Sequence, residues 1–173
     1  MTTVVLATVN YEEKNMDDIP LGAFISMTYR SHFVRINRKM KELGLSAGQF
    51  FVLMVLADKQ GITQDHLAGI LLIDKGSIAR AVNVLEEKGI VKRITDENNR
   101  RAVKLYLTKT GNKLIPDVVK IDREWEEAAF SGLSEEERKQ AKLLLYRISE
   151  NSYKAAYENG DKKWKGFPGK DQQ

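Results

Sequence analysis

The sequence predicts a mainly α-helical fold with one small β-hairpin, and three observations predict it. Apolar residues recur at helical spacing through six separate stretches. Cap-forming Ser, Thr and Asp residues stand just ahead of several of them. A strand-like run and an alternating run, joined by a polar turn, interrupt the pattern between the fourth and fifth helices.

Asp17-Asp18-Ile19-Pro20 reads as a helix start, with carboxylates at the positive end of the helix dipole. Phe24, Ile25, Tyr29, Phe33, Ile36 and Met40 then recur on one face of a first helix that runs to about Glu42 and ends at Gly44. Ser46 and Gln49 fit a capping box, in which each side chain satisfies a free backbone amide. The second helix follows with Phe50, Leu53, Met54 and Ala57 inward, and Gly61 closes it. Thr63 caps a short third helix carrying Leu67, Ile70 and Leu71. Asp74 caps a fourth that stops at Gly89. The tight link between these two makes a helix-turn-helix.

Ile90 to Thr95 is strand-like, and Asp96-Glu97-Asn98-Asn99 is a turn cluster. Beyond it Val103, Leu105 and Leu107 alternate with Ala102, Lys104 and Tyr106. A hairpin in that position is a wing. The fifth helix starts near Thr108 and carries Leu114, Val118, Ile121, Trp125 and Ala128, spaced like a coiled-coil seam. Pro116 is expected to kink it or to mark a tight first turn. Ser134 and Glu137 form a second capping box for a sixth helix, with Ala141, Leu144, Leu145 and Ile148.

The 173 residues include no cysteine and two histidines, so thiol chemistry is excluded and no metal centre is expected. No apolar run approaches the roughly 18 residues of a membrane span, and no secretory signal is evident, which implies a cytoplasmic chain without membrane contact. Phosphate-binding glycine loops and nucleophile–base pairs are absent, so no catalytic residue and no cofactor is expected. The net charge of +4 is concentrated. Lys75 to Lys104 holds eight basic and four acidic residues, a difference of 8 − 4 = 4 that equals the whole excess. A solvated basic face would look the same, but this is also the footprint of a protein that meets phosphates.

The fourth helix decides between them. Stepping residues at about 100° each puts Ile78, Ala81, Val82 and Leu85 on one face and Gly76, Arg80 and Asn83 on the other, flanked by Ser77 and Ala79. Arginine can bond guanine O6 and N7 together, and asparagine can pair with adenine in the same way. Gly76 and Ala79 allow close approach, while Lys75 and Ser77 suit phosphate. Arg100 and Arg101 at the hairpin tip suit a narrow minor groove. Double-stranded DNA is the partner these residues fit.

The succession Asp74-Lys75-Gly76-Ser77-Ile78-Ala79-Arg80, then Leu85-Glu86-Glu87-Lys88-Gly89-Ile90-Val91, Arg93, Asp96, Arg100-Arg101, Leu107-Thr108 and Gly111 resembles the MarR family of regulators over residues 19–157. Ile19-Pro20-Leu21 and Tyr29-Arg30-Ser31-His32 are similar to archaeal members. The resemblance implies a winged helix-turn-helix with an all-helical dimerisation region. It divides the chain into an N-terminal arm (1–18), dimerisation helices (19–44 and 109–157), a DNA-binding domain (45–108) and a flexible basic tail (158–173). It further implies a homodimer that represses from a pseudo-palindromic operator and is released by an aromatic acid such as salicylate. Arg30, expected to be buried among apolar neighbours, and His32 are the candidates to meet that acid, with an ordinary salt bridge or snorkelling to water as the alternative for Arg30. For His32 a packing role is the alternative. Two positions depart from the family pattern. Asn99 stands where an aspartate often pairs with the wing arginine, and Leu72 where the turn often has glycine. The competing reading from another class is a winged-helix module that scaffolds protein contacts without reading sequence.

Overall fold

The structure is a computed structural model and describes residues 18–96, 99–100 and 102–157. The element order is α1 (Leu21–Glu42), α2 (Ala47–Asp58), β1 (Ile62–Thr63), α3 (Gln64–Leu71), α4 (Lys75–Glu87), β2 (Val91–Thr95), β3 (Val103–Leu107), α5 (Lys109–Ala129) and α6 (Glu135–Tyr157). The three strands form one antiparallel sheet in the order β1-β3-β2. Mostly helical with a small sheet, it is the predicted fold class. The N-terminal arm and the basic tail lie outside the described residues.

The core is built around α2, which packs on α1, α3, α4, α5 and β3. Phe50, Val52, Leu53, Val55 and Leu56 are all buried, so this helix is apolar around its circumference rather than along one stripe. Each such side chain contributes about 1.5–3 kcal/mol on burial. Ala57, expected inward, is exposed near the helix end, and Leu56 is buried instead. Gln49 is the one buried polar residue among those described, and its Oε1 accepts from the Ser46 N–H at 2.7 Å and the Ser46 hydroxyl at 2.6 Å. The expected capping box of Ser46 and Gln49 therefore forms at the start of α2. Asn37 Oδ1 takes the N–H of Ala47 at 3.4 Å and ties α1 to this corner.

The caps expected at Thr63 and Ser134 form, and Thr108 adds one that was not expected. The Thr63 side chain accepts from the His66 N–H at 3.2 Å. Ser134 and Glu137 exchange both capping bonds, at 2.7 and 3.3 Å. Thr108 caps α5 through the Gly111 N–H at 3.1 Å and donates its hydroxyl to the Gly89 carbonyl at 2.6 Å, joining the start of α5 to the end of α4. The start of α1 differs from expectation. Its cap is Pro20, no side chain caps it, and no acidic residue lies in its first turn. Pro116 sits inside α5, well past its first turn.

The two-residue β1 was not anticipated. Ile62 pairs with Leu105 and Thr63 with Lys104. Two residues are too few to alternate detectably, and β3 supplies the partner. The outer helices leave apolar surface open. In α1 only Ile36 and Met40 are buried. Phe24, Ile25, Tyr29 and Phe33 from the same apolar set are exposed. In α6, Leu143, Leu144 and Leu145 are 58%, 46% and 51% exposed. Of the α5 seam, Val118 and Ile121 are buried, Leu114 and Trp125 are half-buried, and Ala128 is exposed. Among the described residues, no single helix is long and apolar enough to cross a membrane.

Candidate nucleic-acid interface

The helix α4 is seated by Ile78, Ala81, Val82 and Leu85, all buried against the core. Its other side carries exposed Lys75, Gly76, Arg80 and Asn83, with Ser77 and Ala79 half-buried beside them. The helical period placed these residues correctly because one turn advances a fixed angle whatever the tertiary context.

Asp74 caps this helix, taking the Ser77 N–H on Oδ1 at 2.8 Å. Hydrogen bonding from Ser77, side chain first and backbone second, holds the Asp74 carboxyl below the usual carboxylate range, and the charge of Arg80 acts in the same direction. Arg80 Nη2 donates to Ser77 Oγ at 2.8 Å, which restrains a long side chain before any ligand arrives. A methyl group on Gly76 would stand 3.2 Å from Asp74 Oδ1 and 3.4 Å from Arg80 Nη1, so glycine leaves this corner open. Lys75 Nζ pairs with Asp65 Oδ1 on α3 at 2.9 Å, with both side chains mostly exposed. Such a pair is weak and can exchange for a phosphate.

The turn into α4 holds Leu72 at φ 54°, the left-handed region that glycine adopts without strain. The backbone therefore keeps the glycine-like turn although a leucine stands there. That conformation costs a non-glycine residue about 1–2 kcal/mol.

In the wing, β2 and β3 pair from Val91–Leu107 to Thr95–Val103. Asp96 and Ala102 close the turn with a backbone bond of 2.8 Å. Lys104 Nζ meets Asp96 Oδ2 at 2.6 Å, and this bond and charge raise the lysine above its usual range. Arg100 is exposed at the turn, as expected. Arg101 lies outside the described residues, and with it the question of its pairing to Asn99.

One residue of this surface is not among the candidates read from the sequence. Arg93 on β2 reaches three groups at once. Its Nη1 pairs with Glu86, and its Nη2 donates to Asn83 Oδ1 at 2.7 Å. The Gln64 amide lies against the same guanidinium and, with its oxygen facing it, accepts from Nη2 at 2.6 Å and Nε at 3.1 Å. Strand alternation was the available signal, since Arg93 shares a face with Val91, which is buried.

Arg30 and His32 stand on α1, which packs on α2 and α5, and they are not part of the α4–wing surface. Arg30 is exposed rather than buried. With Ser31, Val34, Arg35 and Arg38 it lines an open groove of about 400 Å³. Four residues apart on one helix, Arg30, Val34 and Arg38 share its outer side, which the apolar neighbours in sequence did not reveal. His32 is a packing residue. It stacks on Trp125 at 3.9 Å, meets Phe50 and Phe51 edge-on, and lies 3.4 Å from Asp122 Oδ1. Among the described residues no cluster of His, Asp and Glu could hold a metal ion.

Comparison with known proteins bears on this surface. Residues 45–103, which include α4 and most of the wing, match the model of the MarR family. The HTH-type transcriptional regulator YybA of Bacillus subtilis is 33% identical over 115 residues, spanning 66% of this chain and 77% of that protein. A MarR transcriptional regulator from Methanosarcina mazei is 40% identical, with a TM-score of 0.74 over 78% of this chain and 96% of that one. A MarR family regulator from Listeria monocytogenes, solved with a 26-mer DNA, is 26% identical, with a TM-score of 0.75 over 84% of this chain and 99% of that one.

Proposed function

The chain belongs to the MarR family of transcriptional regulators, and we propose that it binds a pseudo-palindromic operator as a homodimer and is released by a small aromatic acid. The observation that carries this reading is α4, whose apolar face is wholly buried while Lys75, Gly76, Arg80 and Asn83 stand exposed beside a basic wing. Arg80 and Asn83 read base edges in the major groove, and Gly76 and Ala79 let the helix approach. Lys75 and Ser77 meet phosphates, while Arg100 and Arg101 enter the minor groove. The regulator from Listeria supports duplex DNA as the partner class.

Residues 45–108 form the DNA-binding unit, and residues 19–44 with 109–157 the dimerisation unit. The apolar surface open on α1 and α6 supports that division. A two-fold dimer sets its half-sites about one helical turn, near 10 bp, apart. The arginine-lined groove on α1 supports an acidic effector. Arg30 pairs its carboxylate, and His32 stiffens the packing behind.

Fluorescence anisotropy on duplexes from upstream of the reading frame tests this, against a scrambled duplex and with added salicylate. The expected result is a sequence preference, a steep fall with salt and weakening by salicylate. Arg80→Ala should weaken specific binding by about 1–3 kcal/mol. Equal, salt-independent affinity for both duplexes would favour a protein-scaffolding module instead.

A further inference from the structure

The Arg93 guanidinium binds three side chains from two helices, and one of them is a proposed base reader. Asn83 Oδ1 lies 2.7 Å from Arg93 Nη2. Glu86, one turn along α4, pairs with Nη1, and Gln64 of α3 lies against Nη2 and Nε. The guanidinium is planar and its N–H directions are fixed, so these contacts together hold the Asn83 amide at one rotation. We propose that Arg93 is a positioning residue that sets which base Asn83 reads. The inference rests on the reading of α4 as the recognition helix.

The chemistry follows from the amide's two ends. A free carboxamide offers one acceptor and one donor group, the pattern that matches adenine N6–H and N7. With its oxygen committed to a cation, Asn83 presents its NH₂ group to the groove. A donor seeks acceptors, and guanine offers two in the major groove, N7 and O6. Arg93 thus turns an adenine-type reader into a guanine-type reader. The sign of Arg93's own charge plays no part in this, because Glu86 balances it locally.

The test uses the full-length protein and a pool of duplexes with a randomised core, followed by equilibrium binding to each single base-pair change in the enriched site. Wild type should require guanine at one position per half-site, and Asn83→Ala should remove that preference alone. Arg93→Lys keeps the charge but loses the fork. It should keep the salt slope and the affinity for random DNA, while the guanine preference at the Asn83 position falls at least about fivefold or passes to adenine. Combining both substitutions should change nothing further at that position. If Arg93→Lys does not fold, Arg93→Gln is read only by its base preference at the Asn83 position relative to the other positions, since it also removes a charge. An unchanged preference in the Arg93 variant overturns the proposal. So does an equal loss on all sequences with a fall in Tm, which marks a purely structural role, and so does an unchanged profile for Asn83→Ala. Failure of the underlying reading looks different, since wild type would then enrich no sequence at all.

Discussion

At Gly111 the first turn of α5 passes so close to the Ile90 carbonyl that a methyl group would fall well inside van der Waals contact. The obstacle is backbone, and it cannot swing aside as a long side chain would. Gly111→Ala should therefore destabilise the protein by about 1–3 kcal/mol, in the manner of an overpacked core. Urea denaturation checks this, with an unchanged midpoint counting against the close approach. Leu72 makes the opposite case. Its left-handed φ is tolerated because the turn between α3 and α4 is held at both ends by packed helices. Arg80 and Arg93 show a third kind of residue effect, in which a bond to Ser77 or Asn83 narrows the conformations of a proposed base-reading side chain.

Helices α3 to α6 begin on side-chain caps, and carboxylates at two of those caps are shifted by their capping bonds. Ser77 lowers the Asp74 carboxyl and Ser134 lowers that of Glu137, through side-chain and then backbone hydrogen bonds. A carboxyl lowered by folding adds stability that is fully present above its unfolded value. That stability is lost as pH falls through the lower folded value. The Tm should therefore drop on acidification below the ordinary carboxylate range of about 4. Asp74→Asn still caps α4 but does not titrate, so its Tm should fall less steeply between about pH 5 and 3. Parallel melting curves would show this, and identical slopes would remove Asp74 from the acid response.

At the scale of the molecule, the winged unit is closed around α2 while α1 and α6 are left open. Arg138–Glu127 and Lys142–Glu126, at 3.0 and 2.7 Å, fix the corner between α5 and α6, and both cations lie within 6 Å of the Phe130 ring. Beyond that corner, α6 exposes three consecutive leucines. A second copy covers them in the proposed dimer. Leu144→Glu should place an unpaired charge in that interface, shift the protein toward monomer and weaken operator binding, since each half-site alone binds less tightly. Sedimentation at several concentrations would measure it. A variant that sediments as wild type would move the interface elsewhere.

Periodicity made much of this molecule readable in advance. The buried face of α4, the wing strands and the caps at Thr63, Asp74 and Ser134 all follow from rules that act within a few residues. The exposed set Lys75, Gly76, Arg80 and Asn83 was legible for the same reason. What lay beyond local rules was decided by the partners that folding supplies. Strand β1 exists because β3 lies beside it, and α2 is apolar and mostly buried because five elements pack on it. Arg30 proved exposed because none of the described residues covers that side of α1. Arg93 lies seven residues from Glu86, ten from Asn83 and further still from Gln64. Its grip on the proposed reading residue depends on how the wing strand crosses the helices, and a periodic pattern carries no record of that crossing.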